Sequence, residues 1–140
     1  MNNHWLERTE LLIKQQGITT LQNAHILIAG LGGVGSYAAE FVTRAGVGAL
    51  TIVDADTVSL SNINRQLPAL HSTIGQAKTE VMRARLLDIN PELKLTVIHE
   101  FLTPERAWEI VTPDFDYVID CIDSITPKLN LILAAKRKHV

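Results

Sequence analysis

Several residues in this chain could do chemistry together. Gly30-Leu31-Gly32-Gly33-Val34-Gly35 places glycines at 30, 32 and 35 in a G-x-G-x-x-G register, where a backbone can turn sharply and approach a phosphate. Asp54 follows about 20 residues beyond the last glycine, the separation at which an acid accepts from ribose hydroxyls. By themselves these two features suit a nicotinamide or flavin dinucleotide. Two others shift the reading. Arg65, Lys78 and Arg8 are cations that could gather at the phosphate end. A pyrophosphate can rest on a helix N-terminus with few cations, whereas a triphosphate undergoing displacement needs more, because charge builds on the leaving group. Asp123, at the end of a later apolar run, has oxygens that could hold magnesium. The chemistry indicated is ATP binding with magnesium.

These residues need elements to position them. Residues 25–29, His-Ile-Leu-Ile-Ala, form an apolar run expected as a buried strand. A helix is expected over 36–45, stopped by Gly46, then a second strand over 48–53 closed by Asp54. The stretch 54–66 is rich in turn formers, as ligand loops at strand C-termini are. Asp56 could cap the following turn or contact a ligand. A helix over about 76–89 is expected to bury Ala77, Val81, Ala84, Leu86 and Leu87. Lys78 lies in its first turn, where a cation opposes the helix dipole. A bound phosphate would relieve that, and a solvent-facing lysine is the alternative. Asn90-Pro91 ends this helix.

A third strand is expected over 93–98. Thr103, Pro104 and Glu105 then read as an N-cap, a first-turn proline and a first-turn acid, with Trp108, Ile110 and Val111 facing the core. A fourth strand is expected over 115–122, and a last helix from Pro127 towards residue 140. Ahead of the glycine turn, residues 6–16 read as a helix stopped by Gly17, and 21–24 as a helical turn. The alternation predicts an α/β fold, a doubly wound, Rossmann-like parallel sheet with helices on both faces. One domain is expected over 1–140, with an N-terminal helix at about 4–16 and a nucleotide-binding core at about 24–140. In such a sheet the glycine turn, Asp54, the Asn62/Arg65 loop and Asp123 all lie at strand C-termini and converge on one crevice.

Composition is consistent with this. The chain has 140 residues, 46% apolar and 20% charged, with a formal net charge of −2. It is long enough for a sizeable core and gives no global attraction to nucleic acid. No apolar run reaches a membrane span, and the first residues lack both a basic n-region and an apolar h-region, so a cytoplasmic location without membrane contact is expected. The single cysteine, Cys121, excludes an intrachain disulfide. It reads as a small buried strand residue, and Asp120 as a structural acid. His4, His25, His71, His99 and His139 show no metal-ligand spacing.

Gly30-x-Gly32-Gly33-x-Gly35, Asp54-x-Asp56-x-Val58-x-x-Ser61-Asn62-x-x-Arg65-Gln66, Gly75-x-x-Lys78 and Asp120-Cys121-Ile122-Asp123 together resemble the ATP-binding half of the ubiquitin-activating-enzyme-like adenylyltransferases, the HesA/MoeB/ThiF family. The match runs in order over nearly the whole chain. It implies that Gly30, Gly32, Gly33 and Gly35 underlie the ATP phosphates and that Asp54 binds the ribose. Asn62, Arg65 and Gln66 would hold the nucleotide, with Asp56 beside them and Lys78 neutralising the triphosphate. Asp123 would coordinate magnesium at the α-phosphate, where a carboxylate attacks to give an acyl-adenylate. Glu7-Arg8-Thr9-Glu10-Leu11-Leu12 in the first helix also resembles the family's N-terminal helix, whose arginine (here Arg8) reaches across a homodimer interface to the partner's nucleotide.

Residues 62–70 and 117–128 look most like the family's tRNA-modifying dehydratases, which activate a carboxylate on a modified adenosine so that it cyclises. Other members activate the C-terminus of a ubiquitin-like sulfur-carrier protein, with a sulfur-transfer partner protein. The thioester cysteine that many members carry beyond the nucleotide half is not in this chain. Family members also extend past its end, so the resemblance implies an N-terminal ATP-binding part that can be inactive alone. A NAD-binding oxidoreductase domain and a non-catalytic half of an activating heterodimer are the competing readings. The joint presence of Asn62, Arg65, Lys78 and Asp123 disfavours the second.

Overall fold

The computed structural model describes residues 4–140, so the reading of Met1, Asn2 and Asn3 as the start of a chain without an export leader lies outside the described residues. A short 3-10 turn, His4–Leu6, leads into α1, Glu7–Asn23. The helical order then continues as β1 His25–Ala29, α2 Gly35–Arg44, β2 Ala49–Val53, α3 Lys78–Ile89, β3 Lys94–Ile98, α4 Pro104–Ile110, β4 Tyr117–Asp120 and α5 Ile125–Arg137. Two further 3-10 turns, Leu60–Asn62 and His71–Thr73, sit in the long connection between β2 and α3.

The four strands form one parallel sheet in the order β3-β2-β1-β4. Successive side chains on a strand face opposite ways, and the two cores divide on that rule. On one face Leu27, Ala29 and Val53 pack with Val111, Phe115, Leu131 and Ala134, which brings α4 and α5 onto the sheet. On the other, Ile28, Leu50 and Ile52 pack with Ala39, Met82 and Leu86 from α2 and α3. Helices therefore cover both faces, as the alternation of elements predicts. After β3 the chain crosses to the far side of β1, so the strand order reverses between β1 and β4. That reversal opens a crevice at the C-terminal ends of the strands.

Several local expectations are corrected. Gly17 does not stop α1. The helix breaks instead at Lys14, whose φ of 62° and ψ of 172° lie outside helical space, and then resumes to Asn23. Gly17 is needed for close approach, since a Cβ there would lie 2.7 Å from the Ile13 Cβ. β4 is shorter than its apolar run: Phe115 is already in the core, while Cys121 and Ile122 belong to the turn that follows. α5 starts two residues before Pro127, which its first turn tolerates because that turn's N–H groups have no helical acceptor. Trp108 is 47% exposed rather than in the core, with the Lys138 ammonium 4.3 Å from the centre of its ring. In α3 burial centres on Lys78, Thr79, Met82 and Leu86, and Ala84 is exposed.

Lys14 occupies a backbone region that glycine enters freely and other residues enter at a cost. Lys14→Gly is expected to stabilise the protein by about 1 kcal/mol in urea unfolding, the relief of strain exceeding the entropy that glycine adds to the unfolded chain. No gain, or a loss, would mean that the break in α1 is not strained.

α2 and α3, which cover one face of the sheet, are joined by one acid. Glu40 of α2, buried, accepts from Arg85 Nη2 of α3 at 3.1 Å and from Arg44 Nε at 2.9 Å, and Arg85 Nε closes a second bond to it. The Arg85 hydrogen bonds hold the Glu40 carboxyl below the usual carboxylate range, burial opposing them and Arg44 adding to them. A depressed carboxyl contributes stability that is complete above its unfolded-state pKa and is lost as pH falls through the lower folded value. Glu40→Gln is expected to cost about 1–2 kcal/mol at neutral pH, the half-exposed arginines regaining water. The deficit should shrink as pH drops below about 4, which urea titrations at several pH values would measure.

Candidate functional site

The crevice is an open cleft of about 700 Å³ lined by the turns that follow all four strands. Its centre is the glycine turn after β1. Gly35 is not at the surface of this turn. A Cβ on it would lie 1.7 Å from the Gly30 carbonyl oxygen, so its role is to let α2 press against the end of β1. Gly30, Gly32 and Gly33 do line the cleft. α2 begins without a side-chain cap, and although the Ser36 N–H donates to the Gly32 carbonyl, the positive end of the helix dipole is left for an anion.

Asp54 is held by the glycine turn itself. Its Oδ2 accepts from the Leu31 N–H at 2.7 Å and its Oδ1 from the Asp56 N–H at 2.7 Å. Each carboxylate oxygen keeps further acceptor capacity for hydroxyls in the cleft. Asp56 neither caps the next turn nor stands free: its carbonyl accepts from Lys78 N at 3.0 Å and its Oδ2 lies 3.4 Å from Lys78 Nζ.

Lys78 does not point to solvent. Its side chain is 5% exposed, it lines the cleft, and its ammonium has the Asp56 carboxylate oxygen as its one polar partner among the described residues. An ammonium carries three donors and is costly to bury when underpaired. Gln66 lines the same cleft: the residue is 8% exposed, and its Oε1 has no hydrogen-bond partner among the described residues. Two buried polar groups thus face the cleft with unused hydrogen-bonding capacity, which is the signature of a ligand site.

The loop over 59–67 carries the remaining residues. Asn62 Oδ1 accepts from the Ser59 N–H at 3.0 Å, so the amide also shapes the loop. Arg65 folds back on its own loop, donating from Nη1 to the Ser61 carbonyl at 3.0 Å and to Asn64 Oδ1 at 2.9 Å. Its aliphatic stem runs beside Gly33. Ser36, fully buried in the first turn of α2, donates to the Gly32 carbonyl at 2.5 Å and accepts from the Leu67 N–H at 3.3 Å, tying this loop to the glycine turn. Nothing in the sequence pattern singles out that serine.

On the far side of the cleft, Asp123 lies exposed in the turn after β4, with no hydrogen bond or ion pair among the described residues. Asp120 holds that turn: its Oδ1 accepts from the Ile122 N–H at 3.0 Å and its Oδ2 pairs with Lys128 Nζ at 2.6 Å. Cys121 lines the cleft between them. Burial, reinforced by Asp120 and opposed by Lys128, pushes its thiol up, so it is protonated at neutral pH and is a poor nucleophile. No group of three or more metal-ligating side chains occurs among the described residues. An exposed carboxylate without a partner among the described residues, such as that of Asp123, suits magnesium, which keeps its waters and takes other ligands from phosphates.

The cleft therefore brings together Gly30, Gly32, Gly33, Asp54, Asp56, Asn62, Arg65, Gln66, Lys78 and Asp123. It does not include Arg8, which lies exposed on α1 in a separate hollow with Glu7, Glu10, Leu11 and Lys14. It does include Glu100, Phe101 and Leu102, from the turn after β3, which sequence reasoning passed over. An aromatic directly after a strand and before a capped helix was the available signal.

A family model described as the ThiF family matches residues 6–139. The chain is 41% identical over 143 residues to the tRNA threonylcarbamoyladenosine dehydratase of Escherichia coli (strain K12), an alignment covering 100% of this chain and 53% of that protein. It is 38% identical over 115 residues to the molybdopterin-synthase adenylyltransferase of the same organism, covering 82% of this chain and 46% of that protein. A crystal structure of the E. coli dehydratase in complex with ATP superposes with a TM-score of 0.93 at 40% identity, covering 99% of this chain and 57% of the other. The complex of that dehydratase with AMP gives 0.96 at 40% identity, covering 99% and 56%. The chain thus spans about half the length of the curated relatives it matches.

Proposed function

The chain belongs to the ThiF family, and on that premise we propose that it is the ATP-binding part of an enzyme that activates a carboxylate by adenylylation. The observation that carries the reading is the buried, underpaired Lys78 ammonium facing the same cleft as the glycine turn and Asp54. A polyphosphate would give that ammonium the partners it lacks. Asp54 would accept from the ribose hydroxyls, and the N-terminus of α2 would receive the phosphates. Arg65, released from its own loop, would swing its guanidinium onto them, with Asn62 and Gln66 beside it.

The residues fit magnesium as well as ATP. Asp123 would hold the ion, which when bound neutralises phosphate charge near the point of attack. This chain's part in the reaction is positioning and electrostatics. Attack of a carboxylate oxygen on the α-phosphorus forms an acyl-adenylate and breaks the bond to pyrophosphate, whose growing charge Lys78 and Arg65 stabilise. No protein nucleophile is needed, which suits the protonated state of Cys121.

The substrate proposed is a carboxylate on a modified tRNA adenosine, by analogy with the tRNA threonylcarbamoyladenosine dehydratases. The second reading, the C-terminus of a ubiquitin-like carrier protein with a sulfur-transfer partner, is supported by the likeness to the molybdopterin-synthase adenylyltransferases. A homodimer is part of the proposal: the family likeness has the arginine of the N-terminal helix reach a partner's nucleotide, and Arg8 lies outside the cleft of its own chain. No helix among the described residues is long and apolar enough to cross a membrane, and the proposed place of action is the cytoplasm. Equilibrium binding of Mg–ATP against NAD tests the central claim. ATP is expected to bind more tightly, and preference for NAD would replace this reading with the oxidoreductase one.

A further inference from the structure

We propose that Ser36 is a positioning residue for the triphosphate: its buried hydroxyl holds the loop that carries Arg65 and Gln66 against the glycine turn, and so sets how much more tightly the cleft binds ATP than AMP. The inference rests on the nucleotide-binding reading above and deepens it.

Two segments of the cleft wall meet at the start of α2. Residues 30–36 form the glycine turn and the first residues of the helix, and residues 59–67 form the loop that supplies Asn62, Arg65 and Gln66. They are in close contact. A Cβ on Gly33 would lie 3.5 Å from the Arg65 carbonyl oxygen and 3.5 Å from its Cγ, and one on Gly32 would lie 3.5 Å from Gln66 Nε2. Such contact has no direction of its own and does not fix one segment's register on the other. Among the described residues a single hydrogen bond joins the two, from the Leu67 N–H to Ser36 Oγ at 3.3 Å.

A hydroxyl is the group that can make this join. Its one proton goes to the Gly32 carbonyl at 2.5 Å, so the oxygen meets the Leu67 N–H as an acceptor, away from water. One atom thus ties turn, helix and loop together. Arg65 and Gln66 immediately precede Leu67, and their side chains inherit its position. Neither has an anchor of its own in the glycine turn: Arg65 donates to Ser61 and Asn64 within its loop, and Gln66 Oε1 has no partner among the described residues. On the reading above Arg65 serves the departing pyrophosphate, which ATP carries and AMP lacks. Loosening the loop therefore costs ATP its arginine and leaves AMP, held by the turn and Asp54, as it was.

The test measures Mg–ATP and AMP binding by calorimetry on the wild-type protein, Ser36→Ala, Ser36→Cys, Arg65→Ala and the Ser36→Ala, Arg65→Ala double variant. Ser36→Ala should fold, because Leu67 still packs on the core around Ile28 and Leu50 and alanine favours a helix. It should weaken ATP about tenfold and AMP by less than about twofold. Ser36→Cys fills nearly the same space with a weak hydrogen-bonding group. It should lose ATP as the alanine protein does, and it decides the matter alone if that protein does not fold. In the Arg65→Ala background the serine substitution should cost ATP less than about threefold, since effects routed through one residue do not add. The inference is overturned if Ser36→Ala or Ser36→Cys keeps wild-type ATP affinity, if AMP weakens as steeply as ATP, or if the serine and arginine effects add in full. If the wild-type protein binds neither nucleotide, the nucleotide reading itself fails and takes this one with it.

Discussion

Replacing Gly35 with alanine is expected to destabilise the protein by about 3 kcal/mol or more, a loss that urea unfolding of the purified variant would show directly. The added methyl would sit 1.7 Å from the Gly30 carbonyl oxygen, 2.7 Å from its carbon and 2.9 Å from the Cys121 Cβ. Two of those three atoms are backbone, so no side-chain rotation relieves the overlap. Either α2 must lift from the sheet or the turns after β1 and β4 must separate. Cys121 N donates to the Ala29 carbonyl at 2.9 Å, which holds those two turns together. Lifting α2 would strip Ala39 from a core it shares with Ile28, Leu50 and Met82. A second readout follows from the same geometry: any Gly35→Ala protein that does fold should bind Mg–ATP poorly, because the helix N-terminus has moved. A loss under about 1 kcal/mol would show that the turn yields more easily than packed backbone does.

Lys78→Met should weaken Mg–ATP by about 2 kcal/mol, roughly 30-fold, the scale of a hydrogen-bonded interaction with a charged partner. The same substitution should leave stability unchanged or slightly raised. In the free protein the ammonium is buried with one carboxylate oxygen at 3.4 Å, an interaction that does little to offset its desolvation. Methionine fills the same space without a charge, and Asp56, whose side chain is largely exposed, returns to water. Affinity and stability are thus expected to move in different directions, which a structural lysine would not produce. Calorimetric titration with ATP and urea unfolding on the same preparations separate the two. Wild-type ATP affinity in Lys78→Met would remove this lysine from the site.

Both predictions involve residues whose identity was plain in the sequence and whose circumstances were not. Gly35 belongs to the glycine register, but its spacing could not tell a glycine beneath a phosphate from one that lets a helix meet a strand. Lys78 stood out as a cation in a helix's first turn, with solvent as the alternative. Only packing of α3 against the sheet buries it. Arg8 is a case of the opposite kind: the family likeness links it to a nucleotide, while the fold keeps it out of its own chain's cleft.

What the sequence determined is the part of the protein governed by local periodicity and by short-range backbone chemistry. Apolar runs bounded by turn formers specify strands, helical spacing specifies the covering helices, and strict alternation leads to a parallel sheet with both faces covered. The glycine register, Asp54 and Asp123 fall at strand ends for the same reason. The tertiary structure decided everything that depends on residues distant in the chain coming into contact. It joined Ser36 to Leu67, faced Gln66 and Lys78 into one cleft, broke α1 at Lys14 rather than Gly17, and put Phe101 on the wall of that cleft. Periodicity reports which face of an element is apolar. It carries no information about which neighbour that face meets, because the meeting is set by strand order, and strand order emerges only when the whole sheet is assembled.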